Sequence, residues 1–211
     1  MKRKDTLERR IYYLHLDLVR ALNDTHIFVF QALPVLEEAK SSYKLSDGLE
    51  DRDYFVPSIK KSKTARRTDA ELKDIYDRFL STELFSTLII ALVSQTESFL
   101  SDVLKEVLIE YPRKLTLNVP GIDAMRQVPI ELVLSSPDID SAILELAEKR
   151  LQSVFYAAPS AYLRYFQELT GVQVNDPAFA NYTEIKATRD LLVHNNGLIN
   201  PLYCEKAGNM A

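Results

Sequence analysis

Apolar residues recur every three or four positions through most of this chain, and little interrupts them. Leu7, Ile11, Leu14, Leu18 and Leu22 form one such stripe. Glycine occurs only 5 times in 211 residues, and long stretches lack both glycine and proline. A repeat near the helical period puts such side chains on one face, and the scarcity of breakers lets helices run long. The pattern therefore specifies an all-α protein, a bundle whose helices bury these stripes against one another. The length suits a single domain spanning residues 1–211.

Local signals divide the chain. Pro34 is expected to bend or end the first helix, because proline lacks the amide hydrogen that helix needs. Residues 41–67 carry no stripe and mix charge with Gly48 and Pro57, which reads as a flexible polar insertion. Thr68 and Glu71 have the spacing of a capping box, opening a helix that reaches Tyr111 with a break near Ser81 and Thr82. Leu72, Ile75, Phe79, Leu84, Leu88, Leu92, Phe99, Val103 and Val107 are its inward face. "KLTLNVPG" alternates weakly, as a short extended piece would. Ser136 and Pro137 read as an N-cap and a first-turn proline. Pro159 separates that helix from the next, and Gly171 suits a C-cap. A last clear helix starts at Asp176 and Pro177 and ends at "HNNG", where Asn196 or Gly197 can turn left-handed.

Composition narrows the function classes. The formal net charge is -4, so no global basic field coats the molecule and any nucleic-acid site must be local. A single cysteine, Cys204, allows neither an intrachain disulfide nor a cysteine-rich zinc site, and nothing in its context activates it. His15 and His26 lack partners at ligand spacing, so neither a metal nor a cofactor is expected. No glycine-rich phosphate loop or serine nucleophile elbow occurs. The basic start lacks the apolar core of a signal peptide, and the most apolar run, "LIIALV", is too short to span a bilayer. These features predict a cytoplasmic protein with no membrane partner.

The functional argument falls on "EIKATRDLLVHNNGLINP". Asp190 and His194 are four residues apart and face each other, so the carboxylate can hold one imidazole nitrogen and leave the other free. Arg189 lies five residues before His194, about 140° round an ideal helix. Its long side chain can still swing toward the same place. His194 sits in the last turn, where the helix dipole favours positive charge. Asn195 and Asn196 add donors and acceptors. An imidazole that moves protons beside a guanidinium suited to phosphate fits metal-independent RNA cleavage. The same residues fit a plain helix terminus, with histidine as a dipole partner and "NNG" as cap.

"RDLLVHNNG" resembles the Arg-x4-6-His motif of the HEPN superfamily, the higher eukaryotes and prokaryotes nucleotide-binding domains. The order of "LIIALVSQTESFLSDVL", "YAAPSAYLRYFQELTGV" and the motif is also similar to prokaryotic members. The resemblance implies a HEPN-like bundle with a long antiparallel helix pair and short accessory helices. It implies a homodimer whose two motifs meet across a cleft. It further implies endoribonuclease activity in toxin–antitoxin or anti-phage defence, with an antitoxin or other regulatory protein as partner. Arg189 and His194 would be catalytic. Asp190 holds the polar position after the arginine, where the family also uses Asn or His. Some members instead only bind a nucleotide or a partner protein. The chain reaches Ala211 soon after the motif, so a final helix found in many related bundles is expected to be missing or supplied by a partner chain.

Other residues are secondary. Glu97 edges the apolar face of the long helix and can reach the motif to position Arg189 or His194. Lys186 is spaced to form an ordinary surface pair with Asp190, in competition with His194. Lys60, Lys61, Lys63, Arg66 and Arg67 form a basic segment, read as a solvated loop before a non-specific phosphate site. Tyr12, Tyr13, Phe28 and Phe30 are read as core or interface.

Overall fold

The computed structural model describes residues 5–44, 52–55, 64–125 and 127–207. The fold is all-α. The helices are α1 (Leu7–Lys44), α2 (Asp69–Arg78), α3 (Leu84–Glu110), α4 (Ile130–Ser135), α5 (Ile139–Phe155), α6 (Pro159–Thr170), α7 (Asp176–Asn195) and α8 (Pro201–Ala207). A π-helical turn, Phe79–Glu83, joins α2 to α3, and a 3-10 turn, Pro112–Thr116, follows α3. The chain forms two compact units, one of Met1–Val19 with Leu92–Ala211 and one of Arg20–Ala91.

In the first unit, α3, α5 and α6 bury one continuous cluster. Leu104, Leu108, Val119, Ala147, Val154, Tyr165 and Leu169 lie at its centre. Leu7 and Ile11, the start of the first sequence stripe, pack on its edge. Arg10 anchors that end of α1 by donating to Glu106 and Glu110, each at 2.7 Å. Arg150 is a buried cation inside this unit. Its guanidinium donates to the carbonyls of Asp123 and Leu117 and lies 5.1 Å from the centre of the Tyr165 ring. It thereby fastens the irregular segment after α3 to α5.

In the second unit, the capping box at Thr68 forms as the spacing predicts. The Thr68 hydroxyl accepts from the Glu71 amide at 3.2 Å, and the Glu71 carboxylate accepts from the Thr68 amide at 2.8 Å. The expected break near Ser81 and Thr82 is the π turn. This wider turn leaves Phe79 exposed and Leu80 buried, where the α-helical phase had put Phe79 inward. The 42-residue helical run Asp69–Glu110 has a window of mean hydropathy 1.4, long and apolar enough to cross a membrane by length and composition. "LIIALV" is thus part of a much longer helix. Its far end packs inside protein, with Val103, Leu104, Val107 and Leu108 buried.

Several expectations are corrected. α1 continues through Pro34 to Lys44. Within residues 41–67, the strands β1 (Arg52–Phe55) and β2 (Thr64–Arg67) pair antiparallel, Arg52 opposite Arg67. Arg66 is held there by Asp53 at 3.0 Å, while Lys60, Lys61 and Lys63 lie outside the described residues. Arg52 also donates to the buried Asp69 carboxylate at 3.0 Å, which anchors the hairpin to α2. "KLTLNVPG" begins in the 3-10 turn, because Pro112 starts a helical turn and Leu117 closes it by donating to Lys114. α5 is capped by Asp138, whose carboxylate accepts from the Ser141 amide at 2.7 Å. Ser136 instead ends α4, its hydroxyl donating to the Leu132 carbonyl. Tyr12, Tyr13, Phe28 and Phe30 are exposed rather than in the core. A short helix, α8, follows the motif helix within this chain.

Candidate functional site

The motif helix α7 starts cleanly because the Asn175 side chain accepts from the Ala178 amide at 2.9 Å. It ends where Asn196 adopts φ 50°, a left-handed conformation that asparagine tolerates, followed by Gly197 at φ 76°. Ala187 and Leu191 are its buried residues. Beside them runs a stripe at helical spacing: Tyr182, Lys186, Arg189, Asp190 and His194. All five line one cavity of about 870 Å³, which lies within the first compact unit. α3 contributes Glu97, Ser98 and Ser101, the corner between α5 and α6 contributes Phe155 to Pro159, and α8 contributes Lys206.

The charged groups of the cavity are organised by Glu97. One carboxylate oxygen accepts from the Lys186 ammonium and the other from the Arg189 guanidinium. Glu97 is 18% exposed and Arg189 19%, so water screens this cluster less than a surface pair. Arg189 also meets Asp190 at 3.1 Å, and Asp190 meets Lys206 at 3.1 Å. The chain Lys186–Glu97–Arg189–Asp190–Lys206 therefore alternates in sign, with more cations than anions. The Nε of Arg189 is buried and has no hydrogen-bond partner among the described residues. His194 is exposed at the cavity and forms no hydrogen bond or ion pair among the described residues.

Two expected contacts are replaced. Asp190 holds Arg189 and Lys206 rather than His194, because α8 brings an ammonium to the carboxylate. Lys186 reaches across to Glu97 rather than pairing along its own helix with Asp190, whose carboxylate is already engaged by Arg189 and Lys206. Asn195 donates to the Leu198 carbonyl and closes the turn after α7. It lines a smaller cavity with Asp190, His194 and Lys206, and not the larger one. Glu97, Arg189, Asp190 and His194 are brought together. Lys186 joins this cluster through Glu97, and Lys206 joins it through Asp190 with no motif around it in the sequence.

Aromatic rings line the same cavity, close to Glu97. Phe155 and Tyr162 rings stand 5.4 Å apart, and Tyr162 and Tyr182 6.5 Å apart. Burial, then the nearby Glu97 carboxylate, pushes the Tyr182 phenol up to about 12. Burial, then the neighbouring Tyr182, likewise drives the Tyr162 phenol far upward. Both stay protonated as neutral donors. The Tyr162 hydroxyl is buried with no partner among the described residues. No three His, Cys, Asp or Glu side chains gather as metal ligands would among the described residues.

Compared with models of known families, with curated proteins and with solved structures, the chain gave no match.

Proposed function

We propose that this protein is a HEPN-type, metal-independent endoribonuclease with Arg189 and His194 as its catalytic pair. The observation that carries the reading is their meeting in one cavity whose charged cluster has a surplus of cations. A phosphodiester placed there meets a guanidinium and an imidazole, the two groups that cleavage through the 2′-hydroxyl needs. In that reaction the 2′-oxygen bonds to phosphorus and the bond from phosphorus to the 5′-oxygen breaks. The products are a 2′,3′-cyclic phosphate and a free 5′-hydroxyl. His194 takes the proton from the 2′-hydroxyl as free base or gives one to the leaving oxygen as imidazolium. Arg189 stabilises the charge that builds on the phosphoryl oxygens. Glu97 positions Arg189 by holding its guanidinium. In a homodimer, a second His194 fills the role the first leaves open, and the exposed Phe28 and Phe30 on α1 are compatible with self-association. A cytoplasmic toxin or anti-phage effector, restrained by an antitoxin or other regulatory protein, is the setting this activity fits.

A second reading has its own support. Arg189 is engaged by two carboxylates, Glu97 and Asp190, which suits a non-catalytic module that binds a nucleotide or partner protein. One experiment separates the readings: a mixed RNA pool incubated with purified protein in EDTA, wild type beside His194→Ala. The nuclease reading expects cleavage by the wild type and a loss of about 100-fold or more in the variant. Binding without cleavage by the wild type selects the module. Equal cleavage by both removes His194 from the chemistry.

A further inference from the structure

The short helix α4 turns most of its apolar side chains away from its own protein. Leu132 is its buried residue and belongs to the core cluster. Ile130 is 66% exposed and Leu134 77%, and Val133 is exposed between them. Their i, i+3, i+4 spacing puts these three on one face, opposite Leu132. Val128, just before the helix, and Ile139, at the start of α5, are exposed as well. Single exposed apolar side chains are ordinary, but five within residues 128–139 form a patch of the kind that marks a contact site. The inner side of α4 fixes this face in place: the Ser135 and Ser136 hydroxyls both donate to the Leu132 carbonyl, at 3.3 and 2.6 Å. None of the five lines the large cavity, so the patch is separate from the candidate site and its reading does not rest on the ribonuclease.

Charge around the patch selects what covers it. Between Arg126 and Lys149 the chain carries Glu131, Asp138, Asp140, Glu145 and Glu148, and no lysine, arginine or histidine. All five acidic residues are exposed. By helix phase Glu131 stands at the edge of the apolar face of α4, and Asp138 and Asp140 flank Ile139. Lys149 meets Glu145 at 3.0 Å, which leaves the stretch strongly acidic. A symmetric contact with a second copy would set these carboxylates against their own counterparts. An anionic membrane surface would repel them. A helix with an apolar stripe bordered by lysine and arginine satisfies both the patch and its rim. We infer that the outer face of α4, with Ile139, docks a basic amphipathic helix of a partner protein. Ile130, Val133 and Leu134 supply the ridge that packs against its stripe, and Glu131 and Asp140 meet its flanking cations.

The test uses the full chain as wild type, as the double variant Ile130→Ser, Leu134→Ser and as Glu131→Lys, with circular dichroism to confirm folding. The probe is a fluorescein-labelled peptide of leucine and lysine whose leucines recur at the helical period. Its control has glutamate in place of each lysine. Binding is read by anisotropy. The wild type is expected to bind the lysine peptide and not the glutamate peptide. The double variant should bind about ten-fold more weakly, and Glu131→Lys about three-fold more weakly. No binding of the lysine peptide by the wild type, equal binding of the two peptides, or undiminished binding by the double variant overturns the proposal. Two further measurements address the other occupants. Self-association in sedimentation that the double variant abolishes gives the face to a second copy and overturns the partner helix. Flotation with phosphatidylserine vesicles that the double variant abolishes gives it to a membrane and overturns it equally.

Discussion

In the unit of Met1–Val19 and Leu92–Ala211, Leu104, Leu108, Val119, Val154 and Leu169 have no solvent contact. In Arg20–Ala91, the buried apolar side chains among the described residues are Leu72 and Leu80. That second unit is ordered largely by polar devices: the Thr68 capping box, the pair of Arg52 with Asp69, and Lys40 with Asp77 at 2.6 Å. Its long helical surfaces leave Phe28, Phe30 and Phe79 exposed. The contrast shows how one chain serves two ends. Buried area stabilises a unit against many small perturbations, whereas a few polar contacts hold a shape that each single loss weakens. The candidate site lies in the unit with the core, where a rigid surround can hold charged groups in place.

Three measurements probe how the two units and the site are held. The largest effect is expected at Arg150, which is only 1% exposed. Arg150→Ala removes a buried guanidinium, leaves the Leu117 and Asp123 carbonyls without their donor and opens a cavity. Urea denaturation should show a loss of about 3 kcal/mol. A loss below about 1 kcal/mol would mean that the segment after α3 does not depend on this clamp. Next comes Thr68→Ala, which removes half of the capping box and should cost about 1 kcal/mol. Hydrogen exchange should place that loss in α2, with amide protection in α5 and α6 unchanged; a uniform loss would mean the two units unfold as one.

The third effect is confined to alkaline pH, at Tyr182. Its phenol is raised from the ordinary 10.0 to about 12 in the folded protein, mainly by burial. The neutral form is therefore the one that folding favours. Its contribution is fully present below the unfolded value and is lost as pH rises through the folded one. Ultraviolet difference titration of wild type against Tyr182→Phe should show one phenol ionising near the upper value. Ionisation at the ordinary value would mean that the aromatic wall is open to water.

What could be read in the sequence was what short range determines. The stripes, the Thr68 box, the left-handed Gly171 and the end of α7 at Asn196 each depend on residues within one or two turns. The meeting of Glu97 with Arg189 was legible as a possibility from helix phase, though 92 residues separate them. The partners of Lys186 and Asp190 were not, because local spacing favoured contacts along α7 and tertiary packing offered better ones. Lys206 lies 16 residues past Asp190, on a helix too short to announce itself by periodicity. Nothing in the sequence marks out Arg150, since two backbone carbonyls from distant residues leave no trace there. The pairing of β1 with β2 was hidden by charge, as arginines on both strands mask the alternation that marks a hairpin.

The carboxylate of Glu97 acts as a counterion already installed. An anionic ligand that draws Arg189 or Lys186 away from it does not meet bare cations; it performs an exchange. The displaced carboxylate then takes up a cation from solution, which partly cancels the cations that a nucleic acid sheds on binding. Under the proposed function, affinity for RNA at this site should therefore fall less steeply with added salt than its number of cations would suggest. Replacing Glu97 by glutamine would restore the steeper slope while leaving an acceptor for the guanidinium. A site that binds an anion by such an exchange is buffered against ionic strength, a property that an open basic patch does not have.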